Sequence, residues 1–260
     1  MQESLYDWEW FVNNFETISQ IDLSAYKRPQ MERRINNFMR IAGCTDYRSF
    51  VSLLNADAEI CHKFMEYITI NVSEFFRNPD YWRILEQDII PQLLQQRPLL
   101  KVWSAGCSTG EEAYSLAMLF QARFPGHVQS IKATDLDREV LKKAARALYP
   151  NKVVRTLPDP YLQRYMQPEG EYYKVIDEIK KMVEFERHDL LKDPYEQDYD
   201  LILCRNVFIY MTEASKQNLY RKFAAALRPG GILFIGSTEQ IFQAVEVGFH
   251  ARSTFFYQKN

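Results

Sequence analysis

No two of the four cysteines (Cys44, Cys61, Cys107, Cys204) form a CxxC pair, and none has a histidine at ligand spacing. The four histidines (His62, His127, His188, His250) are scattered as well, so no metal site is expected. The cysteines read as free thiols of a reducing compartment. Net charge is −2, which excludes bulk attraction to nucleic acid or to a membrane surface and leaves any charged contact to local clusters. No apolar run approaches a membrane span, and Met1–Ser4 lacks a signal-peptide core, so a cytoplasmic location is expected. What is present is a 260-residue chain, 47% hydrophobic and 25% charged, enough for one large core or two smaller ones.

One stretch organises the rest. The apolar run from Leu99 to Ala105 feeds a loop, Gly106-Cys107-Ser108-Thr109-Gly110, and the loop opens a helix at Glu111-Glu112-Ala113. Strand, glycine loop and helix N-terminus in that order make a nucleotide-type pocket, because glycine lets the backbone approach a ligand and the helix start offers free N–H groups. The loop is not GxGxxG, which removes the dinucleotide reading, and no lysine follows it, which removes the P-loop reading. Its two carboxylates suit a ligand with hydroxyls, an amine or a positive charge. S-adenosylmethionine, a sulfonium carrying a ribose, fits that description. An ordinary βα turn is the alternative.

Ahead of this loop the chain reads as helices. Leu5, Trp8, Phe11, Val12, Phe15 and Ile18 share one face; Pro29 starts a second helix with Met31, Ile35, Phe38 and Met39 inward, and Gly43 stops it. Thr45 is the expected cap of a third helix, and Ile60 to Ile68 marks a fourth. Arg33 and Arg40 fall on the outer face of the second helix, with Arg34 at its flank. That cluster is either a solvated face or a docking surface for an acidic helical partner. The linker Asn71-Val72-Ser73-Glu74-Phe75-Phe76-Arg77 leads to Pro79, which opens a helix expected to end near Pro91. It reads as a helix cap over a buried aromatic pair, or as a polar-tipped wall of the pocket.

Behind the loop, Val128 to Thr134 reads as a strand ending in Asp135, where this type of fold grips ribose hydroxyls; a helix N-cap is the other reading of Asp135. The stretch 151–184 looks inserted, with strands Tyr172–Ile176 and Met182–Glu186 forming a small antiparallel unit whose second strand runs on into the main sheet or close to it. The buried strand Tyr199–Cys204 runs into Arg205, Asn206 and Tyr210, which puts them at a carboxyl edge where ligands bind. A helix, the turn Arg228-Pro229-Gly230-Gly231 and an apolar strand follow. The tail from Gly248 to Gln258 reads as a final antiparallel strand.

This order is the pattern of a seven-stranded methyltransferase, an α/β Rossmann-like sheet. Asn71–Arg77, Trp103–Glu112, Ala133–Asp137 and Cys204–Tyr210 together resemble the CheR family of chemotaxis receptor glutamate O-methyltransferases. The resemblance covers nearly the whole chain. It implies an N-terminal helical, receptor-docking domain over 1–75 and a methyltransferase domain over 76–260, with a β-subdomain inserted at about 153–184. It implies S-adenosylmethionine as cofactor, bound by Asn71, Ser73, Arg77, Gly106, Glu112, Asp135, Asp189, Leu190, Arg205 and Asn206. Glu112 and Arg77 would take the methionine end, Asp135 the ribose, and Asp189 with Leu190 the adenine. Asp189 stands where relatives often carry Asn; it accepts from the adenine amino group and donates nothing to a ring nitrogen. Arg33, Arg34 and Arg40 would lie against the helical cytoplasmic signalling domain of a chemoreceptor. Arg77 and Tyr210 are expected to orient the glutamate carboxylate, with Arg205 in support. The protein is expected to act as a monomer and, because the turn at 167–171 is short, without a tethering peptide.

Overall fold

The computed structural model describes residues 2–69 and 71–260, with side chains of the first helix from Asp7 onward. The chain packs as two compact units. One contains residues 1–70 and 210–216; the other contains 71–209 and 217–260.

Four helices build the first unit: Gln2–Ser19, Arg28–Ile41, Tyr47–Ala56 and Ala58–Ile68. Phe11, Phe15, Phe38, Phe50 and Phe64 form its aromatic centre, with Phe50 and Phe64 edge to face at 4.9 Å. Trp8, Phe11, Val12 and Phe15 are buried as the spacing of the first helix predicts, whereas Ile18 is half-buried and Leu5 lies outside the described side chains. Asp46, not Thr45, caps the third helix, its carboxylate accepting the Ser49 N–H at 2.9 Å; an ionised acceptor at a helix start outcompetes a hydroxyl. Residues 210–216 belong to this unit although they come late in the chain. The Tyr210 carbonyl accepts from the Lys27 N–H at 2.8 Å, Thr212 N–H donates to Ala25 at 2.9 Å, and Tyr26 bridges Met211.

The second unit holds ten strands: β1 Leu100–Ala105, β2 Val128–Asp135, β3 Leu148–Pro150, β4 Met166–Glu169, β5 Tyr172–Val175, β6 Val183–Arg187, β7 Tyr199–Cys204, β8 Leu227–Ile235, β9 Phe249–Ser253 and β10 Phe256–Lys259. Seven form one sheet in the order β6-β2-β1-β7-β8-β10-β9, parallel except around β10. The order turns around between β1 and β7, so the crevice for a ligand lies beyond their carboxyl ends. The helix Glu111–Arg123 is buried from Ala113 to Phe120, as a helix lying on a parallel sheet must be.

The second strand of the inserted stretch runs in the main sheet, as read from the sequence: β6 pairs parallel with β2 at its edge. Three expectations are corrected. Tyr172–Ile176 does not pair with that strand: β5 pairs with β3 and β4, and the small antiparallel sheet is β3-β5-β4. The helix that opens at Pro79 does not stop near Pro91 but continues to Gln96 through a π turn, Leu85–Ile89. Pro91 then sits in the first turn of the next helical segment, where its missing N–H costs nothing. The tail is a hairpin of two strands, with β10 the one that pairs with β8.

Candidate active site

The glycine loop is shaped by what crowds it. Gly106 has φ +79°, and a Cβ there would lie 2.6 Å from Val207 Cγ2. Gly110 has φ +93°, and a Cβ would meet Ala144 at 2.9 Å and the Tyr149 hydroxyl at 3.1 Å. Only glycine fits either position. Tyr149 on β3 also donates to the Thr109 carbonyl at 2.7 Å, which ties the small sheet to the loop.

Beside the loop lies a cleft lined by Ser73, Arg77, Gly106, Ser108, Glu112, Arg205, Asn206 and their neighbours. The linker contributes one wall. Phe75 and Phe76 are buried, and the Phe76 N–H donates to Ser115 Oγ at 3.0 Å, which holds Ser73 and Arg77 against the loop. The aromatic pair is buried as read, but the linker does not cap the next helix, whose N-cap is Asn78 without a side-chain cap bond.

Glu112 accepts from Ser104 Oγ at 2.8 Å and faces Arg205 Nη1 at 3.4 Å. Burial raises the Glu112 carboxyl, and Arg205 pulls it back. Arg205 is itself buried and lowered for that reason, with Glu112 opposing. Its Nη2 donates to the Arg77 carbonyl and to Asn78 Oδ1, both at 2.9 Å, and its guanidinium stands 4.7 Å from the Phe234 ring centre. Arg205 thus orients Glu112 and the backbone that carries Arg77. The Arg77 guanidinium makes no hydrogen bond among the described residues and is left for a ligand.

Asp135 ends β2. Its Oδ2 accepts the Ser108 N–H at 2.8 Å and its Oδ1 the Asp137 N–H at 3.0 Å, with burial raising the carboxyl. The helix N-cap is Asp137, not Asp135; Asp137 also accepts from Asn71 Nδ2 at 2.9 Å, so Asn71 braces the site from its side. His188 N–H donates to the Asp135 carbonyl at 2.9 Å, which brings the turn Asp189–Asp193 next to it. In that turn Asp189 Oδ1 accepts from Leu191 N–H at 2.9 Å, while Asp189 Oδ2 and the buried Leu190 N–H have no partner among the described residues.

The site residues read from the sequence divide accordingly. Ser73, Arg77, Gly106, Glu112, Arg205 and Asn206 share the cleft; Asp135, Asp189 and Leu190 continue the same edge of the sheet. Tyr210 packs in the first unit, as do the three arginines. Arg33 and Arg40 are exposed. Arg34 is half-buried, donates to the Tyr67 carbonyl and lies 4.6 Å from the Tyr67 ring centre, so its charge is spent within the unit. Sequence reasoning gave no site role to Ser104, Ser108 or Glu239, and read Glu111 only as one of the loop's two carboxylates. Glu111 is buried against the Thr109 and Ser73 hydroxyls. Glu239 accepts the N–H groups of Gly236 (2.7 Å), Asn206 (3.1 Å) and Phe208 (2.8 Å), which fixes the loop after β7 with Asn206 at φ +63°. A carboxylate four residues past the apolar run of β8, at a carboxyl edge, was its only signal.

A family model described as the CheR methyltransferase SAM binding domain matches residues 71–255, and one for the CheR all-alpha domain matches residues 6–69. The chain belongs to the CheR methyltransferase family. Relatives named chemotaxis protein methyltransferase include those of Listeria innocua (41% identical, 97% of each chain), Listeria monocytogenes (40%, 97% of each chain) and Escherichia coli (32%, 94% of this chain and 90% of that one). The CheR site takes S-adenosylmethionine, and the residues present fit it. Gly106 leaves room at the loop, while Ser108 Oγ and Arg205 Nε are buried polar atoms still without partners among the described residues. Among the described residues no cluster is placed to hold a metal ion, and no helix is long and apolar enough to cross a membrane.

Proposed function

We propose that this methyltransferase esterifies glutamate side chains on the cytoplasmic signalling helices of chemotaxis receptors. The observation that carries the reading is the Arg77 guanidinium, in the cleft and unbonded, beside an arginine already committed to Glu112. A free guanidinium suits a carboxylate acceptor, by a fork of parallel donors.

Glutamate is ionised at neutral pH and needs no general base. S-adenosylmethionine, when bound, supplies a methyl group activated by the sulfonium. The protein's work is then positioning and exclusion of water. Glu112 holds the amino group of the methionine end, Asp135 the ribose hydroxyls, and Asp189 with the Leu190 N–H the adenine. Leu190 provides the donor to a ring nitrogen that Asp189 lacks. Transfer cancels a carboxylate against a sulfonium, so an arginine on the attacking oxygen would favour the ground state equally and gain no rate. Arg77 therefore takes the non-attacking oxygen, and Arg205 holds the backbone that carries Arg77. The helical domain docks the receptor through Arg33 and Arg40, with Arg34 as scaffold, and no tethering peptide is required.

The test is transfer of labelled methyl from S-adenosylmethionine to a purified receptor signalling fragment, followed by mild base. Base-labile label on glutamate supports the reading. Cofactor binding without transfer to any receptor of the same cell overturns it.

A further inference from the structure

The turn Asp189–Asp193 is fastened from outside by one lysine. Lys222, on the helix Glu213–Ala226, donates to the carbonyls of Leu190 at 2.7 Å, Leu191 at 3.2 Å and Asp193 at 3.0 Å. An ammonium has three N–H donors, and a single turn takes all of them. Nζ stands 4.2 Å from the centre of the Tyr195 ring, whose hydroxyl donates to the same Leu190 carbonyl at 2.8 Å. Inside the turn, the Asp193 N–H returns to the Asp189 carbonyl at 2.9 Å and the Asp193 carboxylate accepts the Asp189 N–H at 2.7 Å. One donor and one acceptor of the turn, on consecutive residues, have no partner among the described residues: the Leu190 N–H and Asp189 Oδ2.

We infer that Lys222 is a positioning residue for base selectivity, holding the Leu190 N–H and the Asp189 carboxylate in the arrangement that accepts an adenine edge and rejects a hypoxanthine edge. This deepens the proposed function and rests on its assignment of Asp189 and Leu190 to adenine. Adenine presents a ring-nitrogen acceptor beside an amino donor. Hypoxanthine presents the reverse, a ring N–H beside a carbonyl. Against Leu190 and Asp189 the second base sets donor on donor and acceptor on acceptor, the kind of mismatch that a fixed polar site punishes strongly. The peptide that carries the Leu190 N–H is held by Asp193, and Lys222 holds the peptides that follow it, beginning with the Leu190 carbonyl. A turn released from Lys222 loses that second restraint, so the donor and the carboxylate shift against each other and the distinction weakens.

The experiment titrates the full chain with S-adenosylhomocysteine and with S-inosylhomocysteine, for wild type, Lys222→Met, Lys222→Arg and Tyr195→Phe. Wild type is expected to prefer the adenosyl ligand, Lys222→Met to lose about tenfold of that preference, and Lys222→Arg to regain part of it. A residue that merely stabilises the fold would weaken both ligands equally, so an unchanged ratio in Lys222→Met overturns the inference and leaves the adenine assignment standing. Equal binding of both ligands by wild type sinks the adenine assignment and the inference with it. If Lys222→Met does not fold, Tyr195→Phe removes only the second donor to Leu190. It is expected to lower the ratio by a smaller factor, and an unaltered ratio there also overturns the inference.

Discussion

The two ends of β7 handle buried charge in opposite ways. At its start, fully buried Asp200 accepts from the Lys101 N–H at 2.8 Å and from Arg228 Nε at 2.5 Å, with Arg97 3.6 Å away. Each of its oxygens has a short partner. At its end, Arg205 shares Glu112 over a longer 3.4 Å contact, and Arg77, Ser108 Oγ and Arg205 Nε in the same cleft remain unspent among the described residues. Apart from Arg228 Nη2, which is buried without a partner, the scaffold end spends its polar groups, because an unpaired one is costly; the binding site withholds more of them and recovers the cost from its ligand.

That contrast makes predictions at both ends. Asp200→Ala strands Arg228 and the Lys101 N–H, and is expected to cost about 3–5 kcal/mol of stability in denaturant unfolding while the folded fraction keeps its turnover. A large loss of turnover per folded molecule would erase the contrast. Arg77→Ala should do the reverse, lowering turnover by roughly 10²–10³-fold with unfolding unchanged. Wild-type turnover in that variant would remove Arg77 from the mechanism.

A smaller effect concerns pH. Burial raises Glu112 and Asp135 above their ordinary values of 4.5 and 3.8, so each takes up a proton at a higher pH than an exposed carboxylate does. Both act as anions or acceptors toward the cofactor, so S-adenosylhomocysteine affinity is expected to fall as pH drops, with its onset above those values. Glu112→Gln should bind about tenfold more weakly at neutral pH and show a flatter profile; a profile of wild-type shape would take Glu112 out of the linkage. Smallest of all, Arg33→Glu with Arg40→Glu should slow receptor association a few-fold at low salt and little at high salt. Arg34→Ala should instead lower the unfolding midpoint, since its guanidinium covers Tyr67. Equal effects of all three on association would return Arg34 to the docking surface.

Local signals were legible in the residues. The strand–glycine loop–helix run, Asp135 at a strand end and the Arg205–Asn206 pair all announce themselves by type and neighbour, and the geometry assembles them. What stayed hidden is long-range. Lys222 reaches a turn about thirty residues earlier, Glu239 caps a loop on the adjacent strand, and β5 finds its partners in β3 and β4. Pro91 misled for a different reason: the π turn before it changes the hydrogen-bond register, and no single residue encodes that. Arg34 carries the same letter as Arg33, and only the Tyr67 ring separates their roles.

The return of residues 210–216 to the first unit bears on the order of synthesis. Domains fold as the ribosome delivers them, N-terminal first. Here the earliest helices wait: the bridge from Tyr26 to Met211 and the bond from Lys27 to Tyr210 have no second half until most of the chain has been made. The part of the protein translated first is among the last to be finished. A fragment released near residue 70 would lack the segment that completes its fold, and a fragment begun there would carry Met211 without the cover that leaves it 3% exposed in the intact chain.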